Sequence, residues 1–457
     1  MQKEYILKSY DNIDKSVLYE LLEDVVKVAK GEKIEEQRGM FTNLLKLLKI
    51  FVDLMDKRFV RDALKSALIN NKSFREKLDE LAKENGYEKG LASLVGENFE
   101  NVERLSKMMV YVLLNKIIFY KILSKYYEGL RPLSEIYQPG QIRNIDDYLE
   151  RLNKYFEEAI STTKNFEAIF ITDLYDNIKI SDEEEAMKTI DDIIRIIREF
   201  DPMDFADIIG QIYDELIDPK ERHALGQFYT PPLIARLITN WAIRSPNDKV
   251  LDPGCGSGTF ISKAYSRLAE LKTGKKQRYT SPDVHAKILD QIYGIDINAF
   301  AVQLASMHLA IKNPYSPSTN INIVNRDFFE ITPEELVPSS YKVITPKGEK
   351  RREMAFRDFD AVIGNPPYTR WTEMSVKTRN AIKAMIGNLL ERYNLMPNVG
   401  AGMEPQIYVY WIMHSTKFLK EGGRLGMIIS NAWLSTDYGI RFGNFLLDRY
   451  RITALID

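Results

Sequence analysis

Val250-Leu251-Asp252-Pro253-Gly254-Cys255-Gly256-Ser257-Gly258-Thr259-Phe260 runs from a short apolar segment through a glycine-rich turn into a helical pattern. Glycines at such a turn permit a tight chain reversal and let a ligand approach the backbone closely. A plain strand-to-helix turn gives the same pattern, so the motif alone is a moderate signal. No Gly-Lys-Ser/Thr closes it, which excludes a phosphate-binding P-loop. Cys255 is expected to be a small residue packed inside the turn.

Outward from this turn, short apolar runs alternate with helical spacing. Lys249–Leu251, Ile292–Ile295, Ile321–Val324, Phe359–Ile363, Arg424–Ile429 and Ile452–Ile456 are expected strands, and Phe260–Leu271, Ala299–Ile311 and Gln406–Leu419 expected helices. The alternation predicts an α/β fold, a doubly wound Rossmann-like parallel sheet covered on both faces. Lys342–Arg357, rich in lysine and arginine, is expected as a loop or hairpin inserted before the fourth strand. Upstream, Val17–Lys30, Phe41–Met55 and Val102–Ser124 place apolar residues three and four apart, with charges on the opposite faces. The acidic run Asp182–Glu185 suits the start of a helix. The reading is an all-α N-terminal domain over residues 1–200, then the sheet domain over 201–457.

With 63 basic and 65 acidic residues, the net charge is −2. A protein that coats nucleic acid is usually strongly basic, so any nucleic-acid contact must come from local patches. A single cysteine excludes an intramolecular disulfide and fits a reducing cytoplasm. Met1–Lys8 shows no signal-peptide pattern. Met108–Leu123, the most apolar run, is broken by Asn115, Lys116 and Lys121 and falls short of the ~20 residues of a membrane span, so it predicts a buried helix and no membrane partner. His223, His285, His308 and His414 are scattered, and packing or surface roles are expected for them rather than metal ligation.

Three successive expected strands end in an acid. Asp296, in Tyr293-Gly294-Ile295-Asp296, is placed to accept from both hydroxyls of a ribose, or to cap a helix. Asp327, in Asn325-Arg326-Asp327-Phe328, is placed to accept from an adenine amino group, with Phe328 or Ile297 packed on the ring. The fourth strand runs into Asn365-Pro366-Pro367-Tyr368. The prolines hold the backbone extended and remove two amide donors. An amino nitrogen on a planar base is a poor nucleophile, because its lone pair is delocalised into the ring. The side-chain oxygen of Asn365 and the carbonyl of Pro366 are two acceptors able to favour a tetrahedral nitrogen, and Tyr368 is able to stack on a base swung out of its helix. Such catalysis is electrostatic and orientational, and it needs no metal.

These motifs resemble those of amino-methylating DNA methyltransferases, namely the modification subunits of type I and the enzymes of type IIG restriction–modification systems. Gly226-Gln227-Phe228-Tyr229-Thr230-Pro231, ahead of the glycine turn, with the Asn-Pro-Pro-Tyr tetrad after it, matches their gamma motif order. The resemblance covers about Asp201 to Asp457 and implies S-adenosylmethionine as cofactor and double-stranded DNA as substrate. It implies that Phe228, Tyr229, Thr230 and Pro231 line the methionine site, with Asp252, Gly254, Gly256 and Gly258 on the methionine and ribose side. Asp296 then holds the ribose, Asp327 with Phe328 the adenine ring, and Asn365, Pro366 and Tyr368 the target base. The family's sheet has seven strands and a target-recognition domain follows it. Neither the last strand nor that domain is found here, so a separate specificity subunit or a further C-terminal domain is expected as partner.

A protein-glutamine or RNA methyltransferase is the nearest alternative, since a carboxamide nitrogen is planar in the same way. A fused nuclease is another, but Glu32-Lys33 and similar neighbours form no convincing metal site. A non-enzymatic cofactor-binding scaffold has no need of the tetrad. Cytosine carbon-5 methylation needs a Pro-Cys nucleophile, and the one cysteine follows Gly254 instead. Arg370, Trp371, Lys377 and Arg379 follow Tyr368 closely and are candidates for phosphate or base-stack contacts, beside the alternative of a surface loop.

Overall fold

A computed structural model describes Leu44 and residues 46–84, 100–163, 166–172, 174–199, 230–276, 279–316, 321–345, 348–398 and 404–456. The expected helix Val17–Lys30, the expected boundary near residue 200, and Phe228 and Tyr229 lie outside these residues. Val52–Asp457 forms one compact unit.

Its centre is a parallel sheet of β1 (Val250–Asp252), β2 (Ile292–Asp296), β3 (Asn322–Asn325), β6 (Phe359–Gly364) and β7 (Leu419–Met427), in the order β3-β2-β1-β6-β7. Between β3 and β6, the antiparallel pair β4 (Leu336–Thr345) and β5 (Gly348–Ala355) makes the expected hairpin, which starts earlier than the basic run itself. The chain winds outward from β1 to β3, then returns to place β6 on the other side of β1. Val250 pairs with Ile292 on one side and with Ala361 on the other. This reversal opens a crevice at the C-terminal ends of β1 and β6, where doubly wound folds bind ligands.

The helices are α1 (Arg61–Asn70), α2 (Lys72–Glu84), α3 (Glu100–Tyr126), α4 (Ile145–Thr163), α5 (Glu167–Phe170), α6 (Glu184–Glu199), α7 (Pro232–Ala242), α8 (Thr259–Thr273), α9 (Pro282–Gln291), α10 (Ala299–Ala310), α11 (Val376–Arg392), α12 (Ile407–Ser415) and α13 (Asp437–Arg449). Their starts follow local chemistry. Ser281 caps α9 and is followed by Pro282, Asn298 caps α10 through Phe300 and Ala301 N–H, and Ser375 caps α11. Glu184 and Glu185 open α6, as the acidic run suggests, but Asp182 accepts from Ile145 N–H (2.8 Å) at the start of α4. Among the described residues, no helix is long and apolar enough to cross a membrane.

Two strand expectations are corrected. Ile452–Ile456 forms no strand. β7 is the edge of the sheet, no described strand lies beyond it to pair with this segment, and Ile456 is 77% exposed. Conversely, β7 starts at Leu419, ahead of the expected Arg424. The polar Lys420-Glu421-Gly422-Gly423 is accommodated by a break in register opposite Phe359–Ala361.

α10 is apolar on nearly every face, which requires burial all round. β2 and β3 cover one side, and α3 and α5 of the helical region cover the other. Tyr111 packs against Phe300 with ring centroids 6.0 Å apart. The buried amide of Gln303 donates to the carbonyl of Ile169 (2.7 Å) and lies 3.5 Å from the amide nitrogen of Asn115. The helical region is therefore a wall of the core.

Gln303→Met keeps the bulk and removes these polar partners, leaving the Ile169 carbonyl buried without its donor. Such a loss costs about 1–3 kcal/mol. A lower urea midpoint with an unchanged slope checks it; an unchanged midpoint contradicts the bridge.

Candidate functional site

The site lies where β1, β2, β3 and β6 end. Asp252 closes β1 and is buried, and the Gly254 N–H donates to its Oδ1 (3.3 Å). A Cβ on Gly364, the last residue of β6, would stand 2.9 Å from that same Oδ1. Only glycine lets the carboxylate lie against the backbone that enters Asn365. Burial pushes the Asp252 carboxyl well above its ordinary range, with the Asp296 charge adding to the effect.

Asp296 closes β2. Its Oδ2 accepts from the Gly256 N–H (2.9 Å) and its Oδ1 from the Asn298 N–H (2.8 Å). One carboxylate thus ties the glycine turn to the start of α10. Burial pushes this carboxyl up to about 6, against the lowering effect of the two amide donors. The side chain of Asn325, closing β3, donates to the carbonyls of Asp296 (3.1 Å) and Ile297 (2.8 Å). Ile297 is held beside the acid and is 48% exposed, so it presents an apolar face at the strand ends.

Gly258 precedes α8 at φ +93°, where a side chain is strained, and a Cβ there would stand 2.9 Å from Ala305 Cα in α10. Cys255 is buried as expected, its N–H donating to the Ile295 carbonyl (3.0 Å). Burial pushes its thiol well up, so it is a poor nucleophile.

Asp327 opens a short turn, Phe328–Glu330. Its Oδ1 accepts from Phe329 N–H (2.9 Å) and its Oδ2 from the Thr378 hydroxyl (3.2 Å). Burial raises its carboxyl. Phe328 is only 1% exposed, with its ring centroid 4.9 Å from that of Trp411 and 4.6 Å from that of His414. It backs the site from within the core, while Ile297 offers the accessible surface.

In the tetrad, the Asn365 amide nitrogen donates to Thr230 Oγ1 (3.3 Å) and its Oδ1 accepts from the Tyr368 hydroxyl (2.7 Å). That hydroxyl also lies 3.2 Å from the Ile428 carbonyl after β7. The carboxamide is thereby oriented with its oxygen toward Tyr368. Burial pushes the Tyr368 phenol up to about 12. Thr230, just ahead of α7, thus meets the tetrad.

The structure brings Thr230, Asp252, Gly254, Gly256, Asp296, Ile297, Asp327 and the tetrad to one end of the sheet. It adds Trp411, which the sequence reading lacked. A Cβ on Gly254 would stand 3.1 Å from Trp411 Cζ2, so the indole of α12 lies over the glycine turn. Within Gln406–Leu419 it is one apolar residue among many, and only the packing of α12 singles it out.

Residues 290–457 match the family model described as Eco57I restriction-modification methylase, a span that holds Asp296, Asp327 and the tetrad. The type II methyltransferase M.BstVI of Geobacillus stearothermophilus is 26% identical over 248 residues, 51% of this chain and 38% of that protein. The adenine-specific methyltransferase PglX of Streptomyces coelicolor is 35% identical over 114 residues, 22% of this chain and 9% of that protein. The chain therefore spans well under half the length of these relatives. Among solved structures, the DrdV–DNA complex superposes with a TM-score of 0.53 at 15% identity, covering 95% of this chain and 40% of that one. The expected doubly wound sheet after a helical region and the resemblance to restriction–modification methylases are both borne out.

Gly258→Ala puts a Cβ against backbone at a strained φ and is expected to cost at least about 2 kcal/mol. Gly274→Ala, at φ +71° with nothing within 4 Å, is expected to cost roughly half as much. Paired denaturant titrations check the order, and equal losses contradict the packing role of Gly258.

Proposed function

We propose that this chain is the cofactor-binding and catalytic part of a DNA methyltransferase of a restriction–modification system, acting on the exocyclic N6 of an adenine turned out of the duplex. The observation that carries the reading is the seating of Asn365-Pro366-Pro367-Tyr368 beside the acid-lined glycine turn, with Asp252 against Gly364. The matching methylase family and the methyltransferase relatives support the reaction, and the adenine-specific relative supports the base.

The cofactor is S-adenosylmethionine. The residues fit it: the buried Asp252 and the half-buried Asp296 flank the glycine turn, the buried Asp327 stands beyond them, Ile297 exposes an apolar face nearby, and Trp411 lies over the turn. Asp296 holds the ribose, Asp327 receives the adenine amino group, and Thr230, Pro231, Asp252 and the glycine turn surround the methionine side, with Phe228 and Tyr229 assigned there by motif order alone. When bound, it supplies an electrophilic methyl group. Asn365 Oδ1 and the Pro366 carbonyl accept hydrogen bonds from the two amine N–H groups of the target base and draw its nitrogen toward a tetrahedral form. Pro367 keeps the turn extended and Tyr368 stacks on the extruded base. Double-stranded DNA is the substrate, and a specificity subunit or further domain supplies the recognition sequence.

The test is transfer of labelled methyl groups from S-adenosylmethionine to unmethylated genomic DNA, with the modified nucleoside identified by mass. N6-methyladenine is expected; label on cytosine or on protein contradicts the reading. Asn365→Ala is expected to lower kcat by roughly 10²–10³-fold with cofactor affinity retained.

Cofactor binding is expected to follow the Asp296 carboxyl. Its acid form dominates below about 6 and the carboxylate above. Accepting from both ribose hydroxyls needs the carboxylate, so affinity for S-adenosylhomocysteine rises from about pH 5 to about pH 7. Asp296→Ala flattens this rise and weakens binding roughly tenfold. In the free protein the linkage runs the other way. An acid whose folded value is raised contributes stability below its unfolded value of ~3.9 and loses it as pH rises through about 6. Calorimetry across this range checks the binding profile.

A further inference from the structure

Thr378 is the third residue of α11, on the segment that follows the tetrad, yet its hydroxyl reaches back to Asp327 at the end of β3. The direction of this hydrogen bond is fixed by its neighbours. Ser375 Oγ accepts the Thr378 N–H (2.8 Å), which caps α11, and the Ser375 proton is directed to Thr378 Oγ1 (3.0 Å). With that oxygen already accepting, the Thr378 proton points at Asp327 Oδ2 (3.2 Å). A second tie, Lys377 to Glu330 (2.8 Å), joins the same two segments. The other Asp327 oxygen is held by the Phe329 N–H. The carboxylate is thus fixed by one donor from its own turn and one from α11, and lone pairs remain on both oxygens.

We infer that Thr378 is a positioning residue for cofactor selection: the Ser375–Thr378 hydroxyl chain holds the Asp327 side chain aimed so that it reads the 6-amino group of the cofactor's purine. This deepens the functional reading above and rests on it. A buried acid left with a single donor would turn or take up a proton, and a protonated acid distinguishes an amino group poorly from a hydrogen. The same link ties the adenine end of the pocket to the segment after Tyr368, so both sides of the active site are built on one docked turn.

The test measures dissociation constants of the full chain for S-adenosylhomocysteine and for its analogue whose purine carries hydrogen at C6. Wild type is expected to prefer the amino compound by roughly tenfold or more. Thr378→Val is expected to lose most of that preference by weakening the amino compound alone, and Thr378→Ser to restore it. Thr378→Ala removes the donor without a branched side chain and is expected to behave like Thr378→Val, which separates the effect from misfolding seen in a thermal melt. Equal weakening of both ligands, or an unchanged preference, overturns the positioning role. Wild type that binds both compounds equally overturns the assignment of Asp327, and wild type that binds neither overturns the functional reading itself.

Discussion

The parallel pairing of β1 with β6 is the constraint on which the site depends. Because β2 and β3 are laid on one side of β1 and β6 and β7 on the other, the two loops that leave β1 and β6 diverge at the sheet's C-terminal end. The glycine turn and the tetrad leave from adjacent strands, and Asp252 and Gly364 are neighbours across that seam. A side chain at 364 would separate them. The chemistry proposed for Asn365 needs a cofactor within reach, and this register supplies the reach.

The carboxylates are costly to keep where they are, since burial disfavours charge, and the structure offsets the cost with backbone donors. Asp252 receives Gly254, Asp296 receives Gly256 and Asn298, and Asp327 receives Phe329 and a hydroxyl from α11. For Asp296 and Asp327 the donors come from two different segments, so these acids organise the loops as much as the loops hold the acids. The helical region takes part at one remove, through α10, whose far side it covers and whose capped start carries Asn298.

Much of this was legible in the sequence because it is local. Strand–glycine turn–helix, an acid at each strand end and a rigid tetrad are patterns of adjacent residues, and five of the six expected strands are formed. What was not legible depends on partners far away in the chain. Ile452–Ile456 has the composition of a strand, yet a strand needs a neighbour, and none of the described strands offers its edge there. Lys420–Gly423 lacks that composition and is carried within β7 as a break in register between the Phe359–Leu419 and Ala361–Arg424 pairs. Phe328 follows an acid as a ring-packing residue would, but α12 encloses it, and Ile297 and Trp411 are the apolar residues left beside the strand ends. Thr378 is an ordinary helix-start residue until the fold sets it beside Asp327, 51 residues earlier.

The central claim is that the C-terminal ends of β1, β2 and β3 form the S-adenosylmethionine site and that the tetrad opens onto it. A crystal structure of the chain grown with S-adenosylhomocysteine tests this most directly. The account predicts the ligand in the crevice beside the β1–β6 seam, with its ribose hydroxyls on Asp296, its amino group on Asp327, and its sulfur directed toward Asn365. A ligand bound elsewhere on the chain, or in the crevice with its ribose turned away from Asp296, would contradict it.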